Sequence, residues 1–388
     1  MKIGLVYHHF LPNIGGIEKL MLNIGTELLN KGHDLTIITT NSRESKPSTF
    51  RKIETIDGLL VKRFNILPIA GKFIAPKLMH YLLSSDFDII HVFSYHPTFF
   101  TNLCSIISIL NKKTIVTTPI YNPIRVRLSK TFFSKCGATL FEKKIGIEIL
   151  KRMNYVIALS QSEENFYRLH GISKVKTIPE GIYLPKTTIE TKTKFKKHYD
   201  LTDRVILSVG RIEEYKRQDL IIRAFTSVLN EYPRAKLLII GKDWGYLPTL
   251  KKIAEDCKCE ENVIFTGVLS ESDLNCAYES SNVVVHASSF ETFARIALEA
   301  WSHKKPIVCF DIGGPTEFIK PNMGALIKYG DIEAMSKAII KLLSNDQQSR
   351  FIGYNGYVEV EQKYIMSRIV AEYEKVYKLA RKANAYQR

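Results

Sequence analysis

Short runs of β-branched and aliphatic residues, each followed by a helix-length amphipathic segment, recur along the whole of this 388-residue chain. In the first half, residues 2–7, 35–39, 59–64, 89–93, 114–117 and 155–160 read as strands; in the second half, residues 204–209, 236–240, 263–266, 283–286 and 306–310 do. Strands alternating with amphipathic helices are the signature of βαβ units winding a parallel sheet with helices on both faces. The expected fold class is therefore α/β, with two doubly wound, Rossmann-like sheets. Residues 184–200, LPKTTIETKTKFKKHYD, are polar, lysine-rich and poor in hydrophobic periodicity, and read as a linker plus a helix start. They divide the chain into domains 1–186 and 187–366. From residue 331 the pattern is nearly all helical, and the last helix, about 367–388, has no strand of its own to cover; it is expected to pack back on the first domain. Two such sheets facing each other bind ligands in a cleft at the carboxyl ends of their strands, so functional residues are expected just after strands.

Composition narrows the setting. The opening residues MKIGLVYHHF reach polar positions too soon for the apolar core of a signal peptide, so no export is expected. The most apolar later stretch, residues 97–110, is interrupted by Thr98, Thr101, Asn102, Ser105 and Ser108 and reads as a buried helix, short of the ~20 residues a membrane span needs. The six cysteines form no CxxC pair, which suits reduced thiols in a cytosol; Cys257 and Cys259 lack the partner pair a zinc site requires. The net charge of +16 is uneven, with 25 basic against 13 acidic residues in 1–186 and 30 against 26 in the remainder. Residues 112–152 hold ten basic side chains against two acidic ones, with Phe132, Phe133 and Phe141 among them. Such a segment suits an anionic membrane surface, each cation contributing about 1 kcal/mol near the lipid. It would also attract nucleic acid, and a merely solvated basic face is the plain alternative.

The chemistry concentrates in the second half. After the 283–286 run comes SSFETFARIALEAW, with Glu291 in the turn and Glu299 about two helical turns along. The N–H groups of Thr292, Phe293 and Ala294 between them are expected to open a helix N-terminus, a natural seat for a diphosphate. After the 204–209 run come Gly210, Arg211 and, five residues on, Lys216, cations able to clamp a pyrophosphate and neutralise charge on a leaving nucleotide. Near the start, Gly15 and Gly16 lie between the first strand and the first helix, where glycine lets backbone approach a ligand.

In combination these motifs resemble the Glu-x7-Glu signature, the Gly-Arg-x4-Lys element and the glycine loop of retaining GT-B glycosyltransferases, family 4, and the likeness runs over nearly the whole chain, through KPIVCFDIGGPTEFI. The resemblance implies an enzyme moving a hexose-type sugar, with retention, from a UDP- or GDP-linked donor to a lipid-linked glycan or other membrane-presented acceptor. It implies that Glu291 touches the transferred sugar, Glu299 the ribose, and that Arg211 and Lys216 stabilise the departing phosphate, with Gly16, Gly210 and the Thr292–Ala294 N–H groups on the donor. No cofactor or metal is implied, and no nucleic-acid partner. Where many relatives carry glycine, this chain has Ala294, which is expected to keep its donors in place in helical φ/ψ. Where many carry an acceptor-side histidine, TTPIYNP has Ile120 and Tyr121; His91, His96 and Tyr121 are the remaining candidates there. Asp86-Phe-Asp88 is a DxD tripeptide, but it precedes a strand instead of ending one and reads as a surface cap. The rival readings are a GT-B-shaped sugar-nucleotide epimerase or phosphorylase, a transferase with a soluble acceptor, and a non-catalytic basic binding protein. A double displacement also stays open at this point.

Overall fold

The computed structural model describes residues 1–13, 15–43, 46–69, 72–93, 113–119, 146–185, 188–201 and 203–385. Most of the basic 112–152 segment, with Tyr121 and His96, lies outside them. The chain divides into two compact units, one of residues Met1–Gly181 with Met366–Arg388, the other of Ile182–Ile365.

In the first unit, beside two short antiparallel ribbons, the main sheet is built of β1 (Lys2–Val6), β2 (Asp34–Thr40), β3 (Ile53–Ile56), β4 (Leu59–Phe64), β5 (Ile89–Phe93), β6 (Ile115–Thr118), β7 (Tyr155–Ala158) and β8 (Val175–Thr177). They lie in the order β8-β7-β6-β5-β1-β2-β4-β3. Every pairing in this sheet is parallel except the β3–β4 hairpin, turned at Asp57-Gly58. In the second unit β9 (Val205–Val209), β10 (Lys236–Ile240), β11 (Val263–Gly267), β12 (Val283–His286), β13 (Ile307–Phe310) and β14 (Gly324–Ile327) run all parallel in the order β11-β10-β9-β12-β13-β14. That is the 3-2-1-4-5-6 order of a dinucleotide-binding sheet, whose ligands collect where the order reverses, here between β9 and β12.

The strands form because they are buried on both faces: the side chains of β12 and β13, VVVH and IVCF, are all buried, a pattern that suits parallel strands between helix layers. The helices that matter below are α1 (Gly16–Asn30), α2 (Ile189–His198), α3 (Gln218–Glu231), α4 (Glu271–Ser280), α5 (Arg295–Ser302), α6 (Pro315–Phe318), α7 (Asp346–Glu359) and α8 (Met366–Ala385). The last of these belongs to the first unit. It buries Met366, Ile369, Val370, Tyr373, Val376, Tyr377 and Ala380 in the core formed by β1, β2, β5 and α1. Polar ties flank that seam: Lys176 to Glu372 at 2.5 Å, His33 to Glu374 at 2.9 Å and Arg381 to Asp88 at 3.1 Å.

Candidate active site

Sequence dictates a kink at the end of β9. Gly210 and Gly241 both take positive φ, 154° and 155°, and a Cβ on Gly241 would sit 1.9 Å from the Gly210 carbonyl oxygen. Only glycine permits that approach. Past the kink the two strand ends pair again, Ile212 N–H on the Lys242 carbonyl and Trp244 N–H on that of Ile212, each at 2.9 Å. Arg211 is thereby presented at the sheet edge: its guanidinium donates to the Tyr215 hydroxyl at 2.6 Å, lies 3.5 Å from Glu213 and stands 5.3 Å from the half-exposed Trp244 ring.

The following turn, Glu214–Lys216, is fastened to the loop after β12 by the Tyr215 carbonyl, which accepts from Ser289 N–H at 2.8 Å and Ser289 Oγ at 3.0 Å. This clasp sets Lys216 against Glu291. Glu291 Oε1 accepts from Lys216 Nζ and from His286 Nε2, the latter at 2.9 Å, so one carboxylate oxygen holds two donors. Oε2 has no hydrogen-bond partner among the described residues. Burial alone would push this carboxyl up; the adjacent Lys216 ammonium and His286 overcome it and hold Glu291 well below the usual carboxylate range. Burial, the largest effect, and Arg211 push Lys216 down, but the charge and hydrogen bond of Glu291 together with Tyr215 outweigh them and leave it raised.

The loop carrying Glu291 is shaped by the glycines of DIGGPTEF. Gly314 N–H donates to the Glu291 carbonyl at 2.9 Å; a Cβ on Gly313 would lie 2.3 Å from that oxygen, and one on Gly314 2.0 Å from the Thr292 carbonyl oxygen. Backbone here packs on backbone. Glu299, one side of α5, accepts from the buried Tyr278 hydroxyl at 2.8 Å and from Arg295 at 3.1 Å.

The loop corrects one expectation. Thr292, Phe293 and Ala294 do not form the first helical turn: α5 begins at Arg295, and Ala294 is left-handed, φ 57° and ψ 63°. The chain must reverse into the helix while Phe293 stays buried and stacks on Phe318 at 4.8 Å, and the left-handed residue makes that turn. Alanine therefore occupies a conformation glycine adopts without strain, not a helical one.

In the first unit, α1 begins at Gly16, around which a Cβ would meet nothing within 4 Å, whereas the Glu18 carboxylate folds over Gly15. The acceptor reading of His91 is corrected. The ring is fully buried, with Nδ1 2.7 Å from Tyr377 Oη and Nε2 2.8 Å from Thr118 Oγ1, so both nitrogens are engaged inside the core; burial holds it from the usual 6.5 down to about 3. Tyr121 lies outside the described residues. Asp86 pairs with Lys2 at 2.5 Å, and Asp88 accepts from Lys2 N–H at 2.8 Å, where the two carboxylates cap the strand starts. No group of three or more His, Cys, Asp or Glu side chains that could hold a metal occurs among the described residues.

Sequence reasoning missed His286, Trp244 and Tyr278. Only His286 carried a signal, as a polar residue ending a strand five positions before Glu291.

Comparison with known proteins completes the picture. The family model described as Glycosyl transferases group 1 matches residues 190–359, and that described as Glycosyltransferase Family 4 matches residues 14–184. The N-acetyl-alpha-D-glucosaminyl L-malate synthase of Bacillus anthracis is 24% identical, over 97% of this chain and 96% of its own. The alpha-monoglucosyldiacylglycerol synthase of Streptococcus pneumoniae is 23% identical, over 88% of this chain and 78% of its own. A crystal structure of Anabaena HepE in complex with UDP-glucose superimposes with a TM-score of 0.77 at 19% identity, covering 97% of this chain and 99% of that one. With two doubly wound sheets and matches that between them span most of its length, this chain belongs to the GT-B glycosyltransferases of group 1, family 4, and is an enzyme of sugar transfer.

Proposed function

We propose that this glycosyltransferase moves a hexose-type sugar, with retention, from a UDP-linked donor to a lipid-linked acceptor presented at the cytoplasmic membrane surface. The observation that carries the donor half is the shared oxygen of Glu291: Lys216 and His286 fix one side of an ionised carboxylate and leave Oε2 for sugar hydroxyls. Arg211 stands on the adjoining loop at the same sheet edge. When a diphosphate arrives, Arg211 and Lys216 supply the charge that meets it, and His286 keeps Glu291 in place as Lys216 turns to phosphate. The bond from donor carbon one to the diphosphate oxygen breaks, and a bond from an acceptor oxygen forms on the same face. The acceptor proton passes to the departing phosphate oxygen beside it. Glu299, held by Tyr278 and Arg295, is the ribose contact, and Gly210 leaves room for the donor.

The UDP donor is supported by the UDP-glucose complex of the structural neighbour. The membrane acceptor is supported by the glucosyldiacylglycerol synthase among the relatives and by the basic, aromatic segment 112–152. No helix among the described residues is long and apolar enough to cross a membrane, so the association proposed is peripheral. A small soluble acceptor is the second reading, favoured by the malate-named relative.

Incubation with UDP-, GDP- and ADP-sugars, in EDTA, with and without anionic vesicles carrying a glycolipid acceptor, tests the proposal. The expected result is UDP release stimulated by those vesicles, EDTA-insensitive, with the product anomer matching the donor. Inversion, a requirement for Mn²⁺, preference for another base, or equal rates with a soluble hydroxy acid would each overturn the corresponding part. Donor turnover to an epimer with no transfer would replace it with the epimerase reading.

A further inference from the structure

The second unit carries a cavity of about 290 Å³ at the amino ends of its strands, the edge opposite Glu291: Ser281 and Asn282 precede β12, Pro306 precedes β13 and Asp203 precedes β9. Its walls bring five cations together from three places in the chain: Lys192 and Lys196 from α2, Lys304 and Lys305 before β13, and Arg350 from the first turns of α7. Three carboxylates share the lining. Of these, Asp346 is engaged by Arg204 at 3.0 Å, and Glu279 lies 4.0 Å from Lys192.

Two features mark the cavity as more than a solvated basic face. Ser280 is only 7% exposed and lines the cavity, yet its Oγ has no hydrogen-bond partner among the described residues. A buried hydroxyl left so is unfavourable, and a ligand oxygen would satisfy it. Lys305 Nζ donates to the carbonyls of Glu279 at 2.9 Å and Ser281 at 2.7 Å, which uses two of its three protons and leaves one. Burial and the cations Lys192, Arg350 and Lys196, against Glu279, push this ammonium from 10.5 down to about 8. Cations gathered against their mutual repulsion around a proton and a hydroxyl without acceptors call for a compact anion with several oxygens. The N-terminal end of α7 adds its partial positive charge.

We propose that this cavity is a phosphate-binding site, separate from the donor site, in which Lys196, Lys305 and Arg350 meet the charge and Ser280 Oγ donates to a phosphate oxygen. Free phosphate and a phospholipid headgroup share that chemistry. Thermal unfolding with inorganic phosphate, against chloride at equal ionic strength, and sedimentation with phosphatidylcholine vesicles with or without phosphatidic acid tell the sources apart. Phosphate is expected to raise Tm in the wild type and equally in Arg211→Gln/Lys216→Gln, which disables the donor site. Lys196→Gln/Arg350→Gln should weaken phosphate at least tenfold while UDP affinity stays unchanged. Ser280→Ala, which keeps every cation, provides a second variant that should weaken it severalfold. A response to phosphatidic acid vesicles alone, lost in Lys196→Gln/Arg350→Gln, would assign the phosphate to a lipid. A phosphate effect that vanishes in Arg211→Gln/Lys216→Gln, or persists unchanged in both cavity variants, would overturn the site.

Discussion

His91 and His286 are both buried histidines on central strands of parallel sheets, 0% and 6% exposed. One is a core residue and the other meets the carboxylate of the candidate site. His91 is the third of five residues in β5, so helices cover it and its ring nitrogens close on Tyr377 and Thr118. His286 is the last residue of β12, where the strand emerges at the reversal of strand order and its ring meets Glu291. Depth along the strand, not residue type, decides which histidine can serve chemistry. In a doubly wound sheet the crevice at the switch point opens at the carboxyl ends of the strands.

The comparison breaks first at Glu291. Glu291→Gln should lower sugar transfer roughly 1,000-fold, since a neutral amide cannot hold both Lys216 and the sugar, while UDP affinity stays near wild type and Tm falls because the buried Lys216 ammonium loses its counter-charge. Wild-type transfer in that variant would remove the site from this edge. Next is the backbone contact behind it. Gly314→Ala places a Cβ 2.0 Å from the Thr292 carbonyl oxygen and should cost about 100-fold in kcat by displacing the Glu291 loop, whereas Gly16→Ala, with open space around it, should leave Tm at or slightly above wild type.

The histidines themselves come third. His286→Leu removes one charge-assisted donor from Glu291 and should cost roughly 10- to 100-fold in kcat/KM with little change in Tm. His91→Leu should do the reverse, losing about 1–3 kcal/mol for each of the stranded Tyr377 and Thr118 hydroxyls with unchanged activity per folded molecule. Denaturant titration beside kinetics separates the two. A pH series sharpens it further. His91 titrates near 3 when folded and near 6.5 when unfolded, so the unfolded state takes up the proton first as pH falls. Its stabilising contribution is fully present above 6.5 and is lost at up to about 1.4 kcal/mol per pH unit toward 3, a slope His91→Gln should lack. The smallest effect is at Ala294: Ala294→Gly should relieve a left-handed alanine and stabilise the second unit by about 1 kcal/mol with activity retained.

Much of the candidate donor site was legible because it depends on order along the chain. Glu291, Glu299, Arg211 and Lys216 follow strands whose apolar runs are plain in the sequence, and the spacing of a helix or turn carries each to its place. Ala294 was misread because alanine tolerates a helix, and nothing local shows that the chain reverses there to keep Phe293 buried. Gly313 and Gly314 passed as context, since what requires glycine is backbone twenty-odd positions upstream. His286 was passed over because a histidine ending an apolar strand has the same local pattern whether it meets core or carboxylate. The phosphate cavity was invisible: Lys192, Lys305 and Arg350 come from segments that meet only once the sheet is wound.

By itself, then, the amino-acid sequence determined what periodicity and short-range geometry can carry, two wound sheets and the strand ends that bear the acids and the cations, while the kind of reaction came from the resemblance of those motifs to a known family. Tertiary structure decided which buried polar groups are satisfied in the core and which point at a ligand. Periodicity sets which face of an element is buried, but whether a histidine, lysine or hydroxyl finds its partner depends on elements far away in the chain, and that is settled only when they pack.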